Sequence, residues 1–127
     1  MKEPEMKART KTFALRAIRL AEALPDKPVA RVIATQLVRS ATSVASNYRA
    51  ACHARSKAEF NAKLGIAEEE ADEAAFWMEM IIDAGLMPRE RVSALLDEAG
   101  QLTAILVASR KTSAGLSRHR DNQKSKI

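Results

Sequence analysis

Residues 56–85 read "SKAEFNAKLGIAEEEADEAAFWMEMIIDAG", and the spacing of apolar residues along them decides the fold. At roughly 100° per residue, Phe60, Leu64, Ala67, Ala71, Ala74, Met78 and Ile82 gather on one side of a helix. Ser56 stands at the start with Glu59 three residues on, the pattern of a reciprocal helix cap. Gly85 supplies the stop, because it alone tolerates the left-handed conformation that ends many helices. A stripe of this length has to be covered, and the rest of the chain provides the covers. Residues 6–24 repeat the helical spacing with Phe13, Ala17, Leu20 and Leu24, and Pro25 and Pro28 close the segment. Residues 28–53 do so with Ile33, Leu37, Ser40, Val44, Tyr48 and Ala51. A last segment opens after Pro88, a residue suited to a first helical turn, and runs to about residue 111 through Leu95, Leu96, Ala99, Leu102, Leu106 and Val107. No segment has the period of a strand. Four helices with short connections predict an all-α fold, an antiparallel up-down four-helix bundle.

Composition agrees. Aromatics are only 4% of the 127 residues, and alanine and leucine carry most of the apolar content, which favours helix over sheet. The length fits one domain able to bury a core unaided. Residues 1–111 are read as the bundle domain and residues 112–127 as a basic tail, without periodicity and expected to be flexible. A single cysteine excludes a disulfide framework and a multi-thiolate metal site. The N-terminal residues hold no apolar run of signal-peptide length, and no stretch approaches the roughly 20 apolar residues of a membrane span. The expectation is a cytoplasmic protein without a membrane partner.

The net charge of +5 is unevenly spread. The tail carries +3 through Arg118, Arg120, Lys124 and Lys126 against Asp121. Residues 27–57 hold six basic side chains and no acid, whereas residues 58–83 sum to −7. Adjacent helices of opposite sign complement each other within or between subunits. Helix three also carries a second apolar set, Ala62, Ile66, Phe76, Trp77 and Met80, among Glu69 and Glu73. A surface helix needs one stripe. The second is therefore assigned to a subunit contact made by Ile66, Glu69, Glu73, Trp77 and Met80, with Arg39 and Arg49 as basic counterparts. The competing reading is that Trp77 merely caps the core edge.

The search for chemistry ends without a catalytic constellation, and no enzyme is expected. Cys52 and His53 are neighbours, so on a helix they diverge by about 100° and do not form a nucleophile–base pair. The acid run "EEEADE" lacks the Glu-x-x-His pairs of a di-metal bundle. Neither a metal nor a cofactor is expected, and no small-molecule substrate is evident. Arg55, Lys57, Arg118, Arg120, Lys124 and Lys126 are candidate contacts to the phosphates of RNA or DNA. The chain lacks a run of aromatics to stack bases and a helix-turn-helix spacing, so the basic signal is generic.

Residues 37–80, "LVRSATSVASNYRAACHARSKAEFNAKLGIAEEEADEAAFWMEM", resemble the four helix bundle proteins, also called the 23S ribosomal RNA intervening-sequence protein family. The likeness spans about residues 10–111. Its recurring positions are Arg39, Ser43, Val44, Asn47, Arg55, Ser56, Glu59 and Phe60. Many members read Asn-Ile-Ala-Glu-Gly after the serine, whereas this chain reads "NYRAA", losing the glutamate and glycine and gaining Arg49. The resemblance implies a four-helix bundle assembling into a ring of five, and a related basic pentamer binds nucleic acid. It leaves two functions open: a nucleic-acid-binding accessory protein, or a protein scaffold with no nucleic-acid partner. On this reading Ser43 and Asn47 bond across helices, and the small residues Ser40, Ala41, Ala45, Ser46, Ala50 and Ala51 admit a neighbouring helix.

Overall fold

The computed structural model describes the backbone of residues 1–125 and the side chains of residues 1–115. Four helices follow in order: α1 (Glu3–Glu22), α2 (Pro28–Cys52), α3 (Lys57–Asp83) and α4 (Arg89–Ser125). Each packs on the next in the chain, and a slighter α1–α4 contact closes the bundle. No strand occurs among the described residues.

Local chemistry sets the helix ends. Pro28 stands in the first turn of α2, where its missing N–H goes unneeded. At α3 the Ser56 hydroxyl accepts the Glu59 backbone N–H at 3.0 Å. The Glu59 carboxylate in turn accepts the N–H of Arg55 at 3.1 Å, one residue earlier than the usual reciprocal cap. The other end of α3 closes on Gly85 at φ 69°. There the Leu86 N–H reaches the Ile81 carbonyl and the Gly85 N–H reaches that of Ile82, each at 3.0 Å. These are the paired bonds of a Schellman stop.

The core takes one face from every helix. Phe13, Leu37, Leu64, Met78, Ile81, Leu102 and Leu106 are fully enclosed. Between them lie Ala17, Ala41, Ala67, Ala71, Ala74 and Ala99, also without exposure. Small residues at these positions let the axes approach, so shape filling rests on leucine and methionine and on Phe13. Two polar side chains enter the core and stay satisfied. Thr10 donates to the Met6 carbonyl at 3.0 Å, and Ser40 to that of Gln36 at 2.9 Å.

Several details differ from the sequence reading. On α3 the stripe ends on Ile81, while Ile82 and Phe60 are only partly buried against the core. Asn47 does not bridge helices: its amide donates to the Ser43 carbonyl and hydroxyl, both at 2.9 Å, within α2. Helix α4 continues through residues 112–125, where the sequence placed a tail. The segment Arg89–Gly115 also has a mean hydropathy of 1.2 in its most apolar part, enough by length and composition to cross a membrane. In the bundle that apolarity goes to the core: Val92, Leu95, Ala99, Leu102 and Leu106 face the other helices.

Candidate functional site

Ion pairs show which charges the fold consumes. Arg39 on α2 meets Glu70 at 3.1 Å and also pairs with Glu73, both on α3 of the same chain. The expected pairing of these two helices therefore includes an intrachain member. Arg9 on α1 binds Glu98 on α4 through two parallel hydrogen bonds of 2.7 and 2.8 Å, the fork geometry that suits a guanidinium to a carboxylate. That partner holds the Glu98 carboxyl below the usual carboxylate range. Arg110 clasps Glu68 in the same way, at 2.9 and 3.3 Å.

Other charges remain on the surface. Arg49 does not face the acids of α3 but lines a groove between α1 and α2. This groove, of about 650 Å³, has an apolar floor of Ala14, Leu15, Ile18 and Ala45, with the small Thr42 and Ser46 beside it. Lys7, Lys11, Arg49 and His53 rim it, and among the described residues no carboxylate lines it. Leu15 is 45% exposed within this groove.

Helix α3 presents the converse. Its outward face carries Ile66, 39% exposed, and Phe76, 49% exposed. Glu69, Asp72 and Glu79 stand exposed around them, outside the ion pairs formed among the described residues. Trp77 and Met80, assigned with Ile66 to a subunit contact, instead lean partly buried on the core. Phe76 meets the Trp77 ring edge-on, centroids 5.0 Å apart. The exposed ridge is thus Ile66 and Phe76 with an acidic border. Phe76 belongs to the second apolar set read from the sequence.

Of the candidate nucleic-acid residues, the side chains of two are described. Arg55 and Lys57 are exposed at the α2–α3 turn. The side chains of Arg118, Arg120 and Lys124 lie outside the described residues, as does the whole of Lys126. A different basic cluster, Arg16, Arg19 and Arg91, was not singled out from the sequence; it lines a cleft between α1 and α4.

Cys52 is half-buried on α2. Burial pushes its thiol up, and the nearby Glu3 carboxylate adds to the shift. Tyr48, one turn earlier, is pushed up too, again by burial first. A raised thiol pKa means a thiol that stays protonated at neutral pH, and the thiolate is the nucleophile. Iodoacetamide at pH 7.5 is therefore expected to label Cys52 more slowly in the folded chain than after denaturation. Equal rates would contradict this environment. Among the described residues no cluster of three or more His, Cys, Asp or Glu could hold a metal ion.

The sequence pattern of the family described as 23S rRNA-intervening sequence protein matches residues 2–108. The chain belongs to this family. A solved structure of a protein of unknown function from the S23 ribosomal protein family of Bacteroides thetaiotaomicron is similar to it, with a TM-score of 0.81 and 32% identity. The likeness covers 87% of this chain and 99% of that one. No curated protein matches the chain. Family membership accounts for the four helices, and the Ser56 cap and Ser43–Asn47 bonds serve the helices that carry them.

Proposed function

We propose that the chain is a non-enzymatic bundle protein that assembles with copies of itself and presents a basic surface to RNA. One observation carries the assembly: a basic, apolar-floored groove on α1 and α2, and an acidic, apolar ridge on α3, occur on different faces of one subunit. Ile66 and Phe76 of one copy fit the Leu15–Ile18 floor of the next, while Glu69, Asp72 and Glu79 approach Lys7, Lys11 and Arg49. A contact between two different patches is head-to-tail, and such contacts close into rings when the rotation allows. Five is the number the family resemblance implies. Assembly multiplies the +5 of each chain, and weak phosphate contacts then add through multivalency.

Light scattering on a sizing column tests the assembly. The expected mass is five times the 13.9 kDa of the chain. A monomer at micromolar concentration would sink the proposal. The arginines already paired with acids, Arg9, Arg39 and Arg110, favour the second reading of a scaffold without nucleic acid. Titration with RNA at about 50 and 200 mM salt separates the two, since phosphate binding weakens steeply over that range.

A further inference from the structure

We propose that Arg16, Arg19 and Arg91 form a phosphate-binding cleft that grips the backbone of RNA. This inference rests on the RNA-binding reading above and gives it a site. The cleft, of about 280 Å³, lies between the end of α1 and the beginning of α4. Its floor is Leu20, Ala23, Met87, Ala94 and Leu95, and among the described residues no carboxylate lines it.

The register of the two helices makes the cluster notable. Arg9 on α1 binds Glu98 on α4. Seven residues on along α1 stands Arg16, and seven residues back along α4 stands Arg91. About two turns from an arginine–glutamate pair, antiparallel packing therefore sets arginine level with arginine. Arg19 follows one turn after Arg16 on α1. Glu98 is felt by Arg16, but its two oxygens are already occupied by Arg9. None of the three cleft arginines joins an ion pair among the described residues, whereas Arg9, Arg31, Arg39 and Arg110 all do.

Like charges facing one another across a helix pair are unfavourable. An anion placed between them reverses the sign of that interaction. Guanidinium groups fit phosphate oxygens in pairs, and their weak hydration lowers the penalty of approach. The phosphodiester presents such an oxygen pair at every nucleotide, and the apolar floor gives room for the adjoining sugar. The cleft opens on the α4 side of α1, away from the α1–α2 groove, so head-to-tail assembly leaves it accessible.

The test is fluorescence anisotropy of the full chain with a labelled single-stranded RNA oligonucleotide, across a salt series. The variant R16Q/R19Q/R91Q is compared with K2Q/K27Q/K63Q, which removes the same charge elsewhere. Arg19 and Arg91 are exposed and Arg16 is half-buried, and circular dichroism melting checks that both variants keep the fold. Losing three phosphate contacts is expected to weaken binding about tenfold or more and to flatten the log–log salt slope by about two. The lysine variant is expected to change far less. Equal losses in both variants, or none in the arginine variant, overturn the cleft while leaving RNA binding intact. Absence of wild-type binding at low salt overturns both. A parallel titration with inorganic phosphate, read on the arginine Nε–H resonances, distinguishes the source. Perturbation by phosphate without any RNA binding identifies a small-anion site and overturns the RNA assignment.

Discussion

Phe76→Lys is expected to leave the bundle folded and dissociate the assembly. Phe76 is half exposed on α3, so the subunit loses little packing when it is replaced. The new ammonium group would lie one turn from both Asp72 and Glu79, a spacing that stabilises a helix. In the proposed assembly the same group would meet the basic rim of Lys7, Lys11 and Arg49 and withdraw an aromatic anchor from the Leu15–Ile18 floor. A central aromatic at an interface contributes about 2 kcal/mol or more, roughly a 30-fold change in dissociation constant. Repulsion adds to that. Sedimentation at low micromolar concentration is expected to show monomers with an unchanged helical spectrum. Intact oligomers would remove Phe76 from the contact.

Phe13→Ala acts in the opposite way. Phe13 is fully enclosed and is the largest such side chain in a core otherwise built from aliphatic residues, many of them alanine. Backbones already close together cannot collapse further to fill the void, so the transfer and cavity terms both apply. The expected loss is about 3–5 kcal/mol, against a total of about 5–15 kcal/mol for a domain. Urea unfolding at a fixed protein concentration measures it, because the proposed assembly would make apparent stability depend on concentration. A loss below about 1 kcal/mol would mean that Phe13 is not the keystone its burial indicates.

The contrast between these residues shows what the sequence makes legible. The buried faces follow from periodicity alone: Phe13, Leu37, Leu64, Met78 and Leu102 all stand where 3.6-residue spacing puts them. Ile81 and Ile82 were exchanged because both lie at the edge of the stripe, where one turn of neighbouring helix decides which is covered. The opposite charges of α2 and α3 point to Arg39 meeting the acids of α3, and the register of the hairpin lets it do so within one chain. In a hairpin of helices, residues equidistant from the turn meet, and Arg39 stands fourteen residues before His53 as Glu70 does after Ser56. The Arg16–Arg91 apposition is harder to see, because α1 and α4 are joined through two intervening helices and their register depends on both. Exposure is least legible of all. Trp77 and Phe76 are adjacent and similar in character, yet one rests on the core and the other faces outward. Only the packing of α3 against its neighbours separates them.

Family membership accounts for the fold and leaves the surfaces to physical argument. The proposed contact of acidic ridge and basic groove is central, since it would cover the exposed Leu15, Ile66 and Phe76 together. The most direct measurement mixes two broken subunits. Leu15→Asp spoils the groove by placing a carboxylate against an acidic ridge, and Phe76→Lys spoils the ridge. Each variant alone is expected to sediment as a monomer of 13.9 kDa. Mixed, the sound groove of the Phe76→Lys chain accepts the sound ridge of the Leu15→Asp chain, so native mass spectrometry is expected to show complexes containing both chains. Two variants that stay monomeric after mixing, or that never dissociate singly, would contradict the ridge-in-groove contact.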